Sequence, residues 1–291
     1  NVDAGSVCRF RPAVTMSRDM LSYEPGEIER YGVSTERLRL IALRYVQNAS
    51  LKSADGAVFL TRYAARVIQQ SCGPLSNISY IPHGVGAAFQ AIEPSRSWPK
   101  TGERPIRCLY ISNAAPYKHQ WHVVRAVAQL RQQCFDLQLE LVGGGEGKAQ
   151  KRLLSEITLS DPNGEFVKQL KFLPQDALPQ FLAQADLFVF ASSCENMPNT
   201  LVEAMAAGLP IACSNRGPMP EVLEDGGVYF DPENSDSITA SIAYLINNSD
   251  KRSKLASRAK ELSRQYSWSR CAKETFSFIM EVSQQPNRTN S

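Results

Sequence analysis

From about Pro105 onward, short apolar runs alternate with amphipathic helical stretches, and this alternation restricts the chain to a parallel β-sheet covered by helices. Strands are expected at 106–111, 137–142, 167–172, 187–190, 210–213 and 228–230. Helices are expected at 121–133, 148–159, 176–185, 199–207, 235–247, 251–265 and 269–283, with a helical turn at 221–223. In the first of them Val123, Val124, Val127 and Leu130 recur at the spacing of one buried helical face. The run at 187–190, Leu-Phe-Val-Phe, is apolar on both faces, as a strand covered on both sides must be. Asp176 is expected to cap the helix that follows it, and Gly208 to stop the helix before it.

Upstream lies a smaller block with a helix at 35–53, a strand at 56–60, a helix at 62–71 and a strand at 79–81 that runs into Pro82-His83-Gly84. It reads as half of a βα domain, because the first thirty residues show no clear strand-turn-helix unit. Residues 90–104, rich in Pro, Ser and charge, read as a linker. The expected organisation is a partial N-terminal unit at 1–89, the linker at 90–104, a C-terminal unit at 105–268, a final helix at 269–285 and a disordered tail at 286–291.

Composition excludes several classes. Of 291 residues 43% are hydrophobic and 21% charged, which is ordinary for a folded protein and unlike a disordered one. A net charge of +3 without a basic cluster argues against nucleic acid as a partner. No apolar run approaches the roughly 20 residues that span a bilayer. The seven cysteines, Cys8, Cys72, Cys108, Cys134, Cys194, Cys213 and Cys271, are odd in number, scattered and free of C-x-x-C pairs. Neither a disulfide framework nor a zinc site follows, and a reducing cytoplasm is the expected compartment.

In open parallel sheets ligands bind beyond the carboxyl ends of the strands. The informative loops therefore carry Asn113 and Lys118, then Gly143 to Gly147, then Ser192 to Pro198, then Ser214 to Gly217. The N-terminus of the helix at 199–207 offers free N–H groups and a positive dipole end to a phosphate, so a diphosphate is expected at Asn199 and Thr200. Lys118 would add a cation, and Glu203 could accept hydrogen bonds from a ribose diol. Each residue also has a plain structural reading. Thr200-Leu-Val-Glu203 is a capping box, Gly143 to Gly145 suit a tight turn, and a lone lysine or glutamate in a loop is ordinarily solvated. The glycines fit neither G-x-G-x-x-G, which meets Lys148, nor a P-loop, which meets Ala149. The three histidines, His83, His119 and His122, assemble no triad or metal set by spacing.

The run from Ser192 to Ile211, with Glu195 and Glu203 eight positions apart, resembles the E-x7-E region of retaining glycosyltransferases of the GT-B fold, family 4. The segments Leu109-Tyr-Ile-Ser-Asn-Ala-Ala-Pro-Tyr-Lys-His-Gln, Pro220-Glu-Val-Leu-Glu-Asp-Gly-Gly-Val-Tyr-Phe-Asp-Pro, Tyr80-Ile-Pro-His-Gly-Val and Tyr266-Ser-Trp268 carry the same resemblance. It implies Rossmann-like parallel-sheet domains of GT-B type, with the C-terminal donor domain complete and the N-terminal domain partial, and a last helix that crosses back to the N-terminal domain. It further implies that Glu195 faces the transferred sugar, Glu203 holds the ribose, Lys118 neutralises the diphosphate, and the backbone of Asn199, Thr200 and Leu201 cradles it, with Asn113, Gly143 and Gly144 in the same pocket.

The implied donor is a UDP-, GDP- or ADP-sugar and the acceptor a carbohydrate or glycolipid, as in surface polysaccharide or lipopolysaccharide assembly; no metal or other cofactor is expected. A lipid acceptor would bring peripheral contact with the inner face of a membrane. The chain departs from the family pattern at Asn113, where many relatives have Arg, at Pro198, where a Gly is common, and in residues 1–82, which lack a Gly-rich loop and a His. Roughly a hundred residues of the N-terminal domain are expected to be absent. That expectation keeps a second reading in play, a nucleotide-sugar-binding piece without turnover, beside a third, a nucleotide-sugar 2-epimerase.

Overall fold

In the computed structural model, which describes residues 1, 4, 5, 7, 10–93 and 97–284, strands and helices alternate along the chain. The first elements are β1 (Val14–Ser17), α1 (Thr35–Ser53), β2 (Gly56–Phe59), α2 (Arg62–Cys72), β3 (Ile78–Tyr80) and α3 (Ala87–Gln90). Then come β4 (Ile106–Ile111), α4 (Gln120–Gln132), β5 (Leu137–Val142), α5 (Gly147–Ser160), β6 (Val167–Leu170), α6 (Leu178–Gln184), β7 (Leu187–Phe190) and α7 (Asn199–Ala206). The chain closes with β8 (Ile211–Ser214), α8 (Met219–Leu223), β9 (Val228–Phe230), α9 (Ser235–Asn247), α10 (Ser249–Ser263) and α11 (Trp268–Gln284). They form two units, one of residues 1–84, 194–198 and 266 onward, the other of 85–193 and 199–265. The tail expected at 286–291 and Cys8 lie outside the described residues.

The first unit is built on a parallel sheet in the order β1-β2-β3, with Val14 opposite Gly56 and Val58 opposite Ser79. The first thirty residues, expected to show no clear strand-turn-helix unit, hold β1, with no α-helix until α1. Thr15 and Ser17 are buried and Val14 and Met16 half-buried, so burial runs opposite to the short apolar alternation of Val-Thr-Met-Ser. α11 seals one face of this sheet: Val58, Ile81, Cys271, Phe278 and Val282 form its core. Gly56 lets the helix approach, since a Cβ there would lie 2.8 Å from Val282 Cγ2. α2 starts at an N-cap, Thr61, whose Oγ1 accepts from the N–H of Ala64 at 3.1 Å.

The second unit carries a six-stranded parallel sheet in the order β6-β5-β4-β7-β8-β9. The chain winds outward from β4 through β5 to β6, then returns to the other side of β4 and winds outward again through β7, β8 and β9. Helices are needed on both faces to bury such a sheet, and Cys108, Leu109, Tyr110, Phe188, Val189, Phe190, Ile211, Ala212 and Cys213 are all essentially inaccessible. Burying each large apolar side chain of that set contributes about 1.5–3 kcal/mol. The reversal of order between β4 and β7 opens a crevice at their carboxyl ends, beyond Ile111 and Phe190.

Two helix starts differ from expectation. α6 begins at Leu178 with Pro179 in its first turn and no side-chain cap, so Asp176 does not cap it. α7 begins at Asn199, which puts Thr200 inside the helix rather than at the cap of a Thr-x-x-Glu box. Gly208 does end α7, with φ of +73° and its N–H bonded to the Met205 carbonyl at 3.0 Å. Residues of the 90–104 segment pack on the second unit: Arg104 makes a two-pronged ion pair with Asp186, at 2.6 and 2.8 Å, and Trp98 lies 3.7 Å from the Arg252 guanidinium. Among the described residues no helix is long and apolar enough to cross a membrane, and Cys72, Cys108, Cys134, Cys194, Cys213 and Cys271 are free thiols.

Candidate donor site

The loop after β4 and the loop after β5 are built against each other. The N–H of Ala114 bonds to the Gly144 carbonyl at 3.1 Å. Gly143 has φ of +119°, and a Cβ on it would stand 2.3 Å from the Ser112 carbonyl oxygen. A Cβ on Gly145 would meet that of Ala114 at 2.8 Å. These two glycines are thus explained by backbone approach alone. Gly144 is not, since a Cβ there meets nothing within 4 Å, and its open side is the part of the loop that a ligand can reach. Asn113 is exposed at the crest of the neighbouring loop.

Gly143→Ala is expected to lower the melting temperature, because strain at such a backbone costs about 1–3 kcal/mol even before the clash is counted. Gly144→Ala should leave melting within the scatter of a surface change, about 0.5 kcal/mol, yet weaken nucleotide binding. Thermal melts and nucleotide titrations of the two variants check both; equal effects would contradict the division of roles.

Lys118 ends a short 3-10 turn, Pro116–Lys118, and is not the surface amine that isolated lysines usually are: it is only 9% exposed. Its carbonyl accepts from the Tyr110 hydroxyl at 2.7 Å, and its ammonium lies 5.1 Å from the Tyr117 ring centre and 5.8 Å from that of Phe190. The next residue, His119, takes a left-handed conformation, φ 49° and ψ 26°, and starts α4. Its Nε2 lies 2.9 Å from Ser193 Oγ, and the Ser193 N–H bonds to the Tyr117 carbonyl at 2.8 Å. The loops flanking the crevice are therefore tied together by His119 and Ser193. Sequence reasoning did not pair these two, since contact between residues 74 positions apart leaves no local signal.

On α7, Asn199 is exposed, Thr200 half-buried and Leu201 buried, so the first turn can meet a ligand through Asn199, Thr200 and backbone N–H groups but not through the leucine side chain. Glu203, one turn further, is 7% exposed. Its Oε1 accepts from the Gln175 amide at 2.5 Å, while its Oε2 is buried without any partner. Neither oxygen reaches a backbone N–H, which removes the capping role. Burial lifts the carboxyl to about 7 against the opposing pull of the Gln175 bond. A buried carboxylate oxygen with no donor costs on the order of 1–3 kcal/mol, and a ligand hydroxyl can relieve it.

Asn113, Lys118, Gly143, Gly144, Asn199, Thr200, Leu201 and Glu203 thus share the second unit and the carboxyl-end face of its sheet. Glu195, with residues 194–198, is assigned to the first unit and is half-buried there.

A buried lysine, a glycine loop, a helix N-terminus and an unsatisfied carboxylate thus stand at the carboxyl ends of one parallel sheet, groups whose chemistry suits a phosphorylated, hydroxyl-bearing ligand. The chain belongs to the glycosyl transferases group 1 family, which matches residues 93–262. It is 24% identical over 274 residues to the O-antigen chain mannosyltransferase B of Escherichia coli, covering 92% of this chain and 70% of that protein. It is 29% identical over 222 residues to a GDP-mannose-dependent alpha-(1-6)-phosphatidylinositol monomannoside mannosyltransferase of Mycolicibacterium smegmatis, covering 70% of this chain and 55% of the relative. Among solved structures it superposes on sucrose-phosphate synthase of Thermosynechococcus elongatus with a TM-score of 0.75 at 17% identity, over 94% of this chain and 69% of that one. HepE of Anabaena, crystallised with UDP and glucose, gives 0.72 at 22% identity, over 94% and 72%. The fold is that of GT-B glycosyltransferases.

Proposed function

We propose that this protein transfers a sugar, with retention of anomeric configuration, from a nucleoside-diphosphate sugar to a carbohydrate or glycolipid acceptor during assembly of a surface polysaccharide or glycolipid. The observation that carries the donor assignment is Glu203: a buried carboxylate with one oxygen unpartnered, one turn into the helix whose N-terminus opens at the switch point. A ribose diol supplies the missing donors. The diphosphate lies on the first turn of α7 and against Gly144, and Lys118 stabilises the charge that gathers on it as the bond between the sugar C1 and the phosphate oxygen breaks. The acceptor hydroxyl forms the new bond at C1 and passes its proton to the departing phosphate oxygen, and Glu195 faces the sugar in transfer. A protein cation thereby does what a metal would otherwise do at the diphosphate.

The names of the relatives, an O-antigen chain mannosyltransferase and a GDP-mannose-dependent one acting on a phosphatidylinositol monomannoside, favour GDP-mannose as donor and a glycan or glycolipid as acceptor. A glycolipid acceptor places the work at the cytoplasmic face of a membrane, through peripheral contact. Calorimetric titration with GDP, UDP and ADP and with their sugars is the test, and the expected result is micromolar binding of at least one diphosphate, GDP first. If no nucleoside diphosphate binds, or Glu203→Ala binds as well as the native chain, the donor pocket has been placed wrongly.

A further inference from the structure

The loop after β6, which the sequence did not single out, brings Gln175 to the donor site. It stands between β6 and α6, and its amide donates to Glu203 Oε1 at 2.5 Å. In the order β6-β5-β4-β7 three strand spacings, roughly 14 Å, separate β6 from the strand that leads into α7. The bond therefore reaches along the carboxyl-end face of the sheet, from its edge strand to the helix that starts at the switch point.

Backbone bonds fix the turn that carries Gln175. The Ala177 N–H bonds to the Pro174 carbonyl at 3.0 Å and the Leu178 N–H to the Gln175 carbonyl at 3.4 Å, while Pro174 restricts φ just before the glutamine. Gln175 is exposed, and among the described residues the bond to Glu203 is the one hydrogen bond its side chain makes. Folding alone does not explain the pair. It leaves Glu203 Oε2 buried without a partner, and an apolar pair of the same shape would be about as stable or more so.

The terminal torsion of a glutamate side chain is broad, so a carboxylate without a fixed partner spreads its oxygens over many directions. With Oε1 held, Oε2 keeps one place and its capacity to accept. The same bond favours the ionised form against the burial that opposes it, and among the described residues no charged side chain adds to these two influences. Lys260 of α10, the helix packed on α7, gives its ammonium to the Ile92 carbonyl at 3.0 Å.

We propose that Gln175 is a positioning residue that holds the Glu203 carboxylate so that Oε2 meets a hydroxyl of the donor nucleoside diphosphate. The inference rests on the donor reading above and deepens it: Gln175 acts through Glu203 and does not touch the ligand itself.

A double-mutant cycle tests this, with GDP titrated calorimetrically into the native, Gln175→Met, Glu203→Ala and doubly substituted chains from about pH 6 to about pH 9. Met matches the length of Gln and lacks its N–H. In the native background Gln175→Met is expected to weaken GDP binding about 3- to 10-fold, the loss that one hydrogen bond gives. It should also move the pH midpoint of binding above the native value of about 7. In the Glu203→Ala background the same change should alter GDP affinity by less than about twofold, because the partner through which it acts is gone. A direct contact with the ligand, or a general loosening of the loop, would weaken binding equally in both backgrounds, and that result overturns the positioning role. Melting curves establish that the variants are folded, and Gln175→Ala takes the place of Gln175→Met if the latter is not. A native chain that binds none of GDP, UDP and ADP overturns the donor reading and this inference with it. A native chain that binds GDP, with Glu203→Ala weakened and Gln175→Met unchanged, overturns the positioning role alone.

Discussion

Replacing Glu203 by Gln is expected to weaken nucleoside-diphosphate binding by about 10- to 100-fold at pH 8, the range for losing a hydrogen bond to a charged group. The same change should raise the melting temperature of the ligand-free protein. The two effects share one cause. Burial raises this carboxyl from 4.5 to about 7, so the folded state binds its proton more tightly than the unfolded chain does. The stability contributed by Glu203 is then fully present below about 4.5 and declines as pH rises through about 7, where the ionised form must sit in a site with one oxygen unpartnered. The amide carries no charge and keeps an oxygen for Gln175. A gain of about 1 kcal/mol corresponds to roughly 2–4 °C for a domain of this size.

Ligand binding runs the other way, because a diol prefers the carboxylate. Affinity should be pH-independent above about 7 and fall as pH drops through that value. Calorimetry and melts of native and Glu203→Gln chains at pH 5 and pH 8 read both trends. The stability gap should be wide at pH 8 and narrow at pH 5; a gap that does not change with pH, or a variant with native affinity, would sink the assignment. Glu24, which burial also raises to about 7, adds a second decline of stability over the same interval.

What was legible in the sequence was whatever depends on near neighbours. β4, β5, β7 and β9 have the bounds their apolar runs suggest, because each signal lies within a few residues. The strand order was not legible, since it depends on which strands pair across long separations. β1 was missed because its buried positions are Thr15 and Ser17. The pattern Thr200-x-x-Glu203 left a capping box open beside the ribose role, and it is one only if the helix starts at 201; it starts at Asn199, and Glu203 turns to Gln175 from another loop. Gly143 and Gly145 were visible as turn residues, but the reason Gly144 differs from them is the position of Ser112 and Ala114 in the adjoining loop.

Replacing Lys118 by Met is expected to lower the rate of donor consumption by about 10²–10³-fold, the usual loss when one preorganised electrostatic contact to the leaving group is removed, while donor affinity falls much less. The unequal split follows from where charge develops. The ground-state diphosphate already spreads its charge over the helix N-terminus and the glycine loop, whereas the extra charge appears on the leaving oxygen only as the sugar bond breaks. Met keeps the apolar stem that packs beside Tyr117 and Phe190, so the fold around the Tyr110 bond to the Lys118 carbonyl should survive. Arg should not restore the rate. Its planar fork is larger than an ammonium and must enter a position only 9% exposed, between rings that suit a compact point charge. Single-turnover hydrolysis or transfer from the donor sugar, measured beside its dissociation constant, separates the two effects. A Met variant that turns over at the native rate would show that the charge on the leaving diphosphate is met elsewhere, and an Arg variant that recovers the rate would show that any cation serves. The expected pattern, a large loss in rate with Met and no rescue by Arg, is the one that a buried amine should give when Tyr110 holds its backbone carbonyl and its neighbour His119 is tied to Ser193.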